Sequence, residues 1–223
     1  MLNLKGLSDE SAATRTASLQ SSVSDASGAL HLGAHLGQEA PAYAAAGLAV
    51  VWVEALPHIY ERLAARLKSF PRQRALCAVL GDVDGKKVSF NVSNNWEGVS
   101  SSLFEFGPYA AGEKSLWPEL DLKMIDRIEL EMTTLDHLLE RERVDPAAHD
   151  HWSLDLQGAE LLALKGAARA VASCRSMLVE VSSARVYQGG VLYDEVAAHL
   201  RDCGFLPAWM PEKTHDEVLF LRR

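Results

Sequence analysis

Residues 28–57 read GALHLGAHLGQEAPAYAAAGLAVVWVEALP, and this stretch decides the fold. An apolar run, Ala29 to Leu32, enters a glycine turn, Gly33-Ala34-His35-Leu36-Gly37, and leaves it through an alanine-rich segment, Gln38 to Ala46, whose composition favours a helix. Gly47 stands where a C′ residue would stop that helix. A second apolar strand then runs from Leu48 to Val53, and Glu54 places a lone carboxylate at its end. Strand, tight turn, helix and strand in this order make half of a nucleotide-binding βαβ unit.

The chemistry of the turn narrows the ligand. Glycine has no Cβ to push a ligand away, and the N-terminus of a helix offers free N–H groups. A carboxylate at the end of the second strand, here Glu54, accepts hydrogen bonds from ribose hydroxyls. The spacing is G-x-x-x-G with His35 inside it, whereas a dinucleotide fingerprint needs G-x-G-x-x-G to bring main-chain amides to a pyrophosphate. No G-x-x-x-x-G-K-[ST] string occurs in the chain, which excludes a Walker loop. S-adenosylmethionine, which has a ribose and no phosphate, fits the turn better.

A chain of 223 residues is long enough for one α/β domain with a substantial core and short for two. The expected division is an N-terminal tail or helical cover over 1–28 and a single domain over 29–223. With 48% hydrophobic and 23% charged residues, and no run of eighteen apolar ones, the chain reads as globular and not as a membrane protein. The N-terminus lacks the apolar segment of a secretory signal, and Cys77, Cys174 and Cys203 show no C-x-x-C spacing. They read as reduced core residues of a cytoplasmic protein. A net charge of −8 argues against nucleic acid as a partner, because phosphate binding calls for clustered Lys and Arg.

Beyond Pro57, HIYERLAARLKSF repeats apolar residues at helical spacing, and Arg74 to Leu80 is a third strand. Gly81 to Gly85 is a turn and KKVSFNVS alternates, so 75–93 reads as a β-hairpin or strand extension. Leu122 to Met132, Trp152 to Leu156 and Ser176 to Val181 are further strands. Helices follow at HLLERE, AELLALKGAARAV and Leu192 to Cys203, and two strands finish the chain near Phe205 to Met210 and Glu217 to Leu221. Strands alternating with helices imply a mostly parallel sheet covered on both faces, with an extra hairpin and loop insertion around 81–132. The loops 94–120 and 182–191 carry specificity in such a plan. Trp96, Phe104, Phe106, Tyr109 and Trp117 suit either an aromatic wall for a sugar or an interface in a homo-oligomer.

These residues together resemble the FkbM-type S-adenosylmethionine-dependent methyltransferases. The resemblance rests on His31 to Gly37 at the family's Asp-x-Gly-Ala-Asn-x-Gly turn, Val53 to Pro57 at its acidic residue and proline, and Asp82 to Gly85 at its Asp-x-x-Gly turn. Ser100 to Leu103 resemble its serine pair, Thr134-Leu135-Asp136 its Thr-Leu-Asp, and Leu154 to Glu160 its Asp-Val-Glu-Gly-x-Glu helix start, with Glu180 at the end of the next strand. The similarity spans roughly Ala29 to Leu221. It implies a class I methyltransferase (Rossmann-like) fold, with a seven-stranded mostly parallel sheet whose last strand is antiparallel. It also implies O-methylation of a hydroxyl on a sugar, polyketide or similar small metabolite. The chain departs from the pattern at His31, in place of an acidic residue that helps hold the cofactor's amino group, and at Gln157, in place of a glutamate.

The candidate cofactor-binding residues are His31, Gly33, Ala34, His35, Gly37, Glu54, Asp82 and Asp155, and the candidate catalytic residues are Asp155, Glu160 and His35. Asp155 ends the strand beside the expected topological switch, where ligands bind, although an N-cap role is the alternative. Glu160 suits the helix dipole at the start of its helix equally well. His31 with His35, and the string His149-Asp150-His151, place no third ligand by spacing, so no metal is expected. The competing functions are a methyltransferase-like binding module without catalysis and a nicotinamide-dependent oxidoreductase, the latter lacking a Tyr-x-x-x-Lys pair.

Overall fold

The computed structural model describes residues 20–223. The strands are β1 (Gly28–Leu32), β2 (Ala49–Glu54), β3 (Gln73–Cys77), β4 (Val79–Leu80), β5 (Lys86–Ser93), β6 (Met124–Thr133), β7 (His151–Leu154), β8 (Ser176–Ser182), β9 (Phe205–Pro207) and β10 (His215–Arg222). The α-helices after residues 20–24 are α1 (Ala40–Ala45), α2 (Pro57–Leu67), α3 (Leu135–Arg141), α4 (Glu160–Lys165) and α5 (Tyr193–Asp202). Among the described residues no helix is long and apolar enough to cross a membrane.

All five residues of β1 and all four of β7 are buried, as expected of central parallel strands covered on both faces. The main sheet has the order β3-β2-β1-β7-β8-β10-β9. β3, β2, β1, β7 and β8 pair in parallel, and β10 runs antiparallel to both of its neighbours. This is the class I methyltransferase arrangement. The strand order reverses between β1 and β7, which opens a crevice beyond their carboxyl ends.

Alternation along the central strands divides the core. Leu30, Leu32, Val51 and Val53 pack with α3, α4 and α5 on one face, whereas Ala29, Val50 and Trp52 pack with α1 and α2 on the other. Val23 and Ala26 join the second face. The expectation of a cover over 1–28 otherwise falls on 1–19, outside the described residues. Trp52, fully buried, donates to Gln73 Oε1 at 3.0 Å, and Gln73 Nε2 donates to the Ala40 carbonyl, so one indole anchors three elements.

Several local expectations need correction. β5 makes no hairpin with the strand before it. It pairs antiparallel with β6, and β4 leaves the main sheet to pair in parallel with β6, forming a separate three-stranded sheet. Alternation marks a strand but does not name its partner. The first helix spans only Ala40–Ala45, and α4 stops at Lys165, with Gly166 as its C-cap packed so close to the Gly81 carbonyl that a Cβ there would meet it at 2.0 Å. Cys77 is exposed on the edge strand β3 rather than in the core.

The Asp-x-x-Gly turn has a structural task. Asp84 accepts from the Thr134 N–H at 2.7 Å and from the Thr133 and Thr134 hydroxyls, while Thr134 caps α3 by accepting from the His137 N–H. Slight desolvation acts upward on the Asp84 carboxyl, but these bonds and His137 bring it down to about 2. Asp84→Ala is therefore expected to cost about 1–2 kcal/mol, the scale of a lost cap. Chemical denaturation at pH 7 measures it. The stabilisation is present above the ordinary value of 3.8 and is lost as pH falls through 2, so the variant and the parent should converge in acid.

Candidate active site

The glycine turn is held by main-chain geometry. Gly33, His35 and Gly37 all have positive φ (89°, 42° and 64°), and the N–H groups of Gly33 and Ala34 both donate to the Val53 carbonyl at 3.0 Å. The Glu54 carboxylate completes the turn: Oε2 accepts from the His35 N–H and Oε1 from the Leu56 N–H, each at 2.8 Å. Glu54 is 8% exposed, and burial raises its pKa against the pull of the Leu56, His35 and Ala55 N–H groups. Each oxygen keeps a lone pair beyond the one engaged.

These groups line a cleft with about 630 Å³ of space, part of it open to solvent. Its polar side holds Gly33, His35, Glu54, Asp155 and Gln157, and its apolar side holds Leu56, Val79, Phe90 and Leu103. The apolar side comes from the small sheet packing on α2, where Phe90, Val79, Leu56 and Ile59 form one cluster. His35 Nε2 is buried with no hydrogen-bond partner. A buried polar atom left unpaired, beside a carboxylate with spare acceptors and a flat apolar wall, fits an adenosine-bearing ligand.

A second cavity, with about 660 Å³ of space, lies beside the first and shares Val99, Asp155 and Gln157 with it. Trp96, Phe106, Trp117 and Tyr187 supply its aromatic lining, and Glu180 and His215 its polar end. Gln157, at φ 54°, joins the polar groups: its Nε2 donates to Asp155 Oδ1 and, at 2.9 Å, to Glu180 Oε2, and its Oε1 accepts from the Tyr187 hydroxyl. Ser102, fully buried, donates to the Gln157 carbonyl at 2.7 Å and so ties loop 94–120 to this turn.

Residues 31–207 match the family described as the methyltransferase FkbM domain. The chain belongs to the FkbM methyltransferase family. Solved structures similar to this FkbM chain include a magnesium protoporphyrin IX methyltransferase from Synechocystis with bound S-adenosylmethionine (11% identity, 98% of this chain and 86% of that one, TM-score 0.49). Another is a Burkholderia thailandensis 1,6-didemethyltoxoflavin-N1-methyltransferase (15% identity, 100% and 97%, TM-score 0.42). A third is a TehB-like methyltransferase from Corynebacterium glutamicum (10% identity, 96% and 97%, TM-score 0.42). Comparison with curated proteins found no match. The chain is an S-adenosylmethionine-dependent methyltransferase, and S-adenosylmethionine is its cofactor.

The FkbM fold brings Gly33, His35, Glu54 and Asp155 to one cleft. Ala34 and Gly37 shape the turn without lining the cleft, and a Cβ at Gly37 would meet Leu63 at 2.7 Å. His31 is not on the cleft. Alternation sends it to the α1 face, where its ring stacks on Trp52 at 4.4 Å and Nδ1 lies 3.3 Å from the Tyr43 hydroxyl. Burial, with a smaller contribution from His151, lowers its pKa to about 3, as befits a ring packed in the core rather than lining the cleft. Asp82 is exposed on its turn and absent from both cavities.

Asp155 does not cap α4, whose N-cap Ala159 has no side-chain cap. Glu160, the first residue of α4, accepts from the Leu156 and Gly158 N–H groups at 2.8 and 3.1 Å and so holds the preceding turn, and it lies away from the first cleft. Burial, then the Glu180 charge, raises Glu160 to about 7. His151 bonds Ser176, and Asp150 pairs with Arg175. Among the described residues no group of three or more His, Cys, Asp or Glu is placed to hold a metal.

Sequence reasoning missed Tyr187, His215 and the apolar wall of Val79, Phe90 and Leu103. Tyr187 lies within the loop 182–191 already marked for specificity. His215 sits in the polar run EKTHDE, where nothing local distinguishes it.

Proposed function

We propose that this methyltransferase, acting through a single domain over 29–223, transfers the methyl group to a hydroxyl oxygen of a small molecule, a sugar, polyketide or similar metabolite, seated in the aromatic cavity. The observation that carries this is the junction: two cavities of small-molecule size share Asp155 and Gln157 and no other polar side chain. One is built for an adenosine, and the other presents aromatic faces with carboxyl, amide and phenol groups. Such groups both donate and accept, as a hydroxyl does.

In this reading Glu54 holds the ribose, His35 Nε2 bonds the cofactor, and Leu56, Val79, Phe90 and Leu103 cover the adenine ring. When bound, the cofactor supplies a methyl group on a positively charged sulfur. Asp155 and Gln157 orient the acceptor, and the segment around Val99 to Leu103 keeps water from the junction. Glu160 supports the turn that carries Gln157.

Calorimetric titration with S-adenosylmethionine, S-adenosylhomocysteine and NAD tests the cofactor side. Saturable binding of the first two and none of NAD is expected. Transfer of tritium from methyl-labelled S-adenosylmethionine to a panel of glycosides, phenols and amines tests the acceptor side. Label going only to amines would overturn the hydroxyl reading, and binding of neither adenosyl compound would favour a module without catalysis.

A further inference from the structure

The polar groups at the inner end of the aromatic cavity form a chain across four segments. Asp155 follows β7, Gln157 precedes α4, Glu180 lies on β8 and His215 on β10. Antiparallel pairing sets His215 opposite Ser182 and Glu217 opposite Glu180. The His215 ring returns along β8: its Nε2 is 2.9 Å from Glu180 Oε1 and its Nδ1 is 2.8 Å from Ser182 Oγ. Gln157 occupies the other oxygen of Glu180, and the edge of Trp117 meets the His215 ring at 5.1 Å. Both ring nitrogens of His215 are thus engaged, whereas the Glu180 carboxylate borders the cavity with lone pairs to spare.

Methyl transfer to a hydroxyl releases a proton, which a basic group within reach takes. We infer that Glu180 is that proton acceptor and that His215, bonded to its Oε1, is the positioning residue that holds its carboxylate at the cavity; this rests on the hydroxyl-transfer reading above. The acceptor oxygen forms the new C–O bond with its own electron pair, the methyl–sulfur bond breaks and leaves its pair on sulfur, and the hydroxyl proton passes to a Glu180 oxygen. Positive charge on sulfur is lost and negative charge on the carboxylate is lost, so the step balances.

Asp155 is poorly suited to the task. Burial, and then the charge of Glu180, lift its carboxyl well above the usual range, and Gln157 already occupies its Oδ1. Burial acts upward on Glu180 as well, but the charge and hydrogen bond of His215 and the bond from Asp155 prevail and lower it. The other groups facing this pair are Glu160 and Glu217, each raised to about 7, Tyr187, and Arg185 across a smaller cavity. His215 is raised above its ordinary 6.5, against its own burial, chiefly by Glu180.

The test uses the full chain and two readouts. Imidazole nitrogen-15 NMR should show the His215 titration above its ordinary 6.5 in the parent and shifted downward in Glu180→Gln. An unchanged titration overturns the pairing. In the tritium assay Glu180→Gln should lower kcat by about 100-fold or more with KM for S-adenosylmethionine within about twofold, and His215→Gln by about tenfold, the scale of general-base losses. A Glu180→Gln enzyme at the parent rate overturns the assignment. Should the panel accept no label while calorimetry shows cofactor binding, the NMR result alone decides. Absence of cofactor binding in the parent removes the underlying reading instead, and is seen before any variant is made.

Discussion

Gly33→Ala is expected to destabilise the chain by about 2–5 kcal/mol, the sum of a left-handed backbone strain and an overpacked contact. Gly33 has φ 89°, and a Cβ there would meet the Asp155 carbonyl oxygen at 1.7 Å and its carbonyl carbon at 2.7 Å. The obstacle is main chain, held in place by the Asp155 N–H donating to the Leu32 carbonyl at 2.9 Å. Relief therefore requires β1 and β7 to separate at the crevice beyond their carboxyl ends. For a domain whose whole stability is of the order of 5–15 kcal/mol, that is a large fraction. A urea denaturation midpoint measures it, and a midpoint equal to the parent's would show that the turn has room to spare.

Glu54→Ala is the second large effect, and it has two parts. Two main-chain N–H groups, those of His35 and Leu56, lose their partner; an unpaired buried donor costs about 1–3 kcal/mol, so about 2–6 kcal/mol of stability should go. Cofactor affinity should also fall, by about tenfold or more, through the lost ribose bonds and the loosened turn. Glu54→Gln separates the parts, because its carbonyl restores one acceptor and its amide opposes the other N–H. Thermal melting and calorimetry on both variants give the numbers. A stable Glu54→Ala protein with parental affinity would take Glu54 out of the ribose site and leave it a fastener of the turn.

The same residue shows why the first half of the fold was legible. Strand, glycine turn, strand and terminal carboxylate lie within residues 28–54, and each leaves a local trace: an unbroken apolar run, glycines where φ is positive, a charge where the run ends. His31 was misplaced for an instructive reason. Alignment with the family's acidic position put it at the cofactor, whereas alternation already set it on the face of Ala29, and the parallel register sets it beside Trp52. The small sheet failed differently. Alternation identified β5 and β6, but the pairing of Phe90 with Ile128 spans a loop whose closure leaves no local mark.

Local patterning by itself determined the α/β class of the fold, the position of the glycine turn and the placing of Glu54 and Asp155 at the ends of their strands, because periodicity and turn chemistry act between near neighbours in the chain. Only the tertiary structure decided the burial of Asp155 beside Glu180 and the partnership of Glu180 with His215. Those depend on burial and on charges brought together from β7, β8 and β10, and a carboxyl's environment is set by what surrounds it in space, not by what precedes it in the chain.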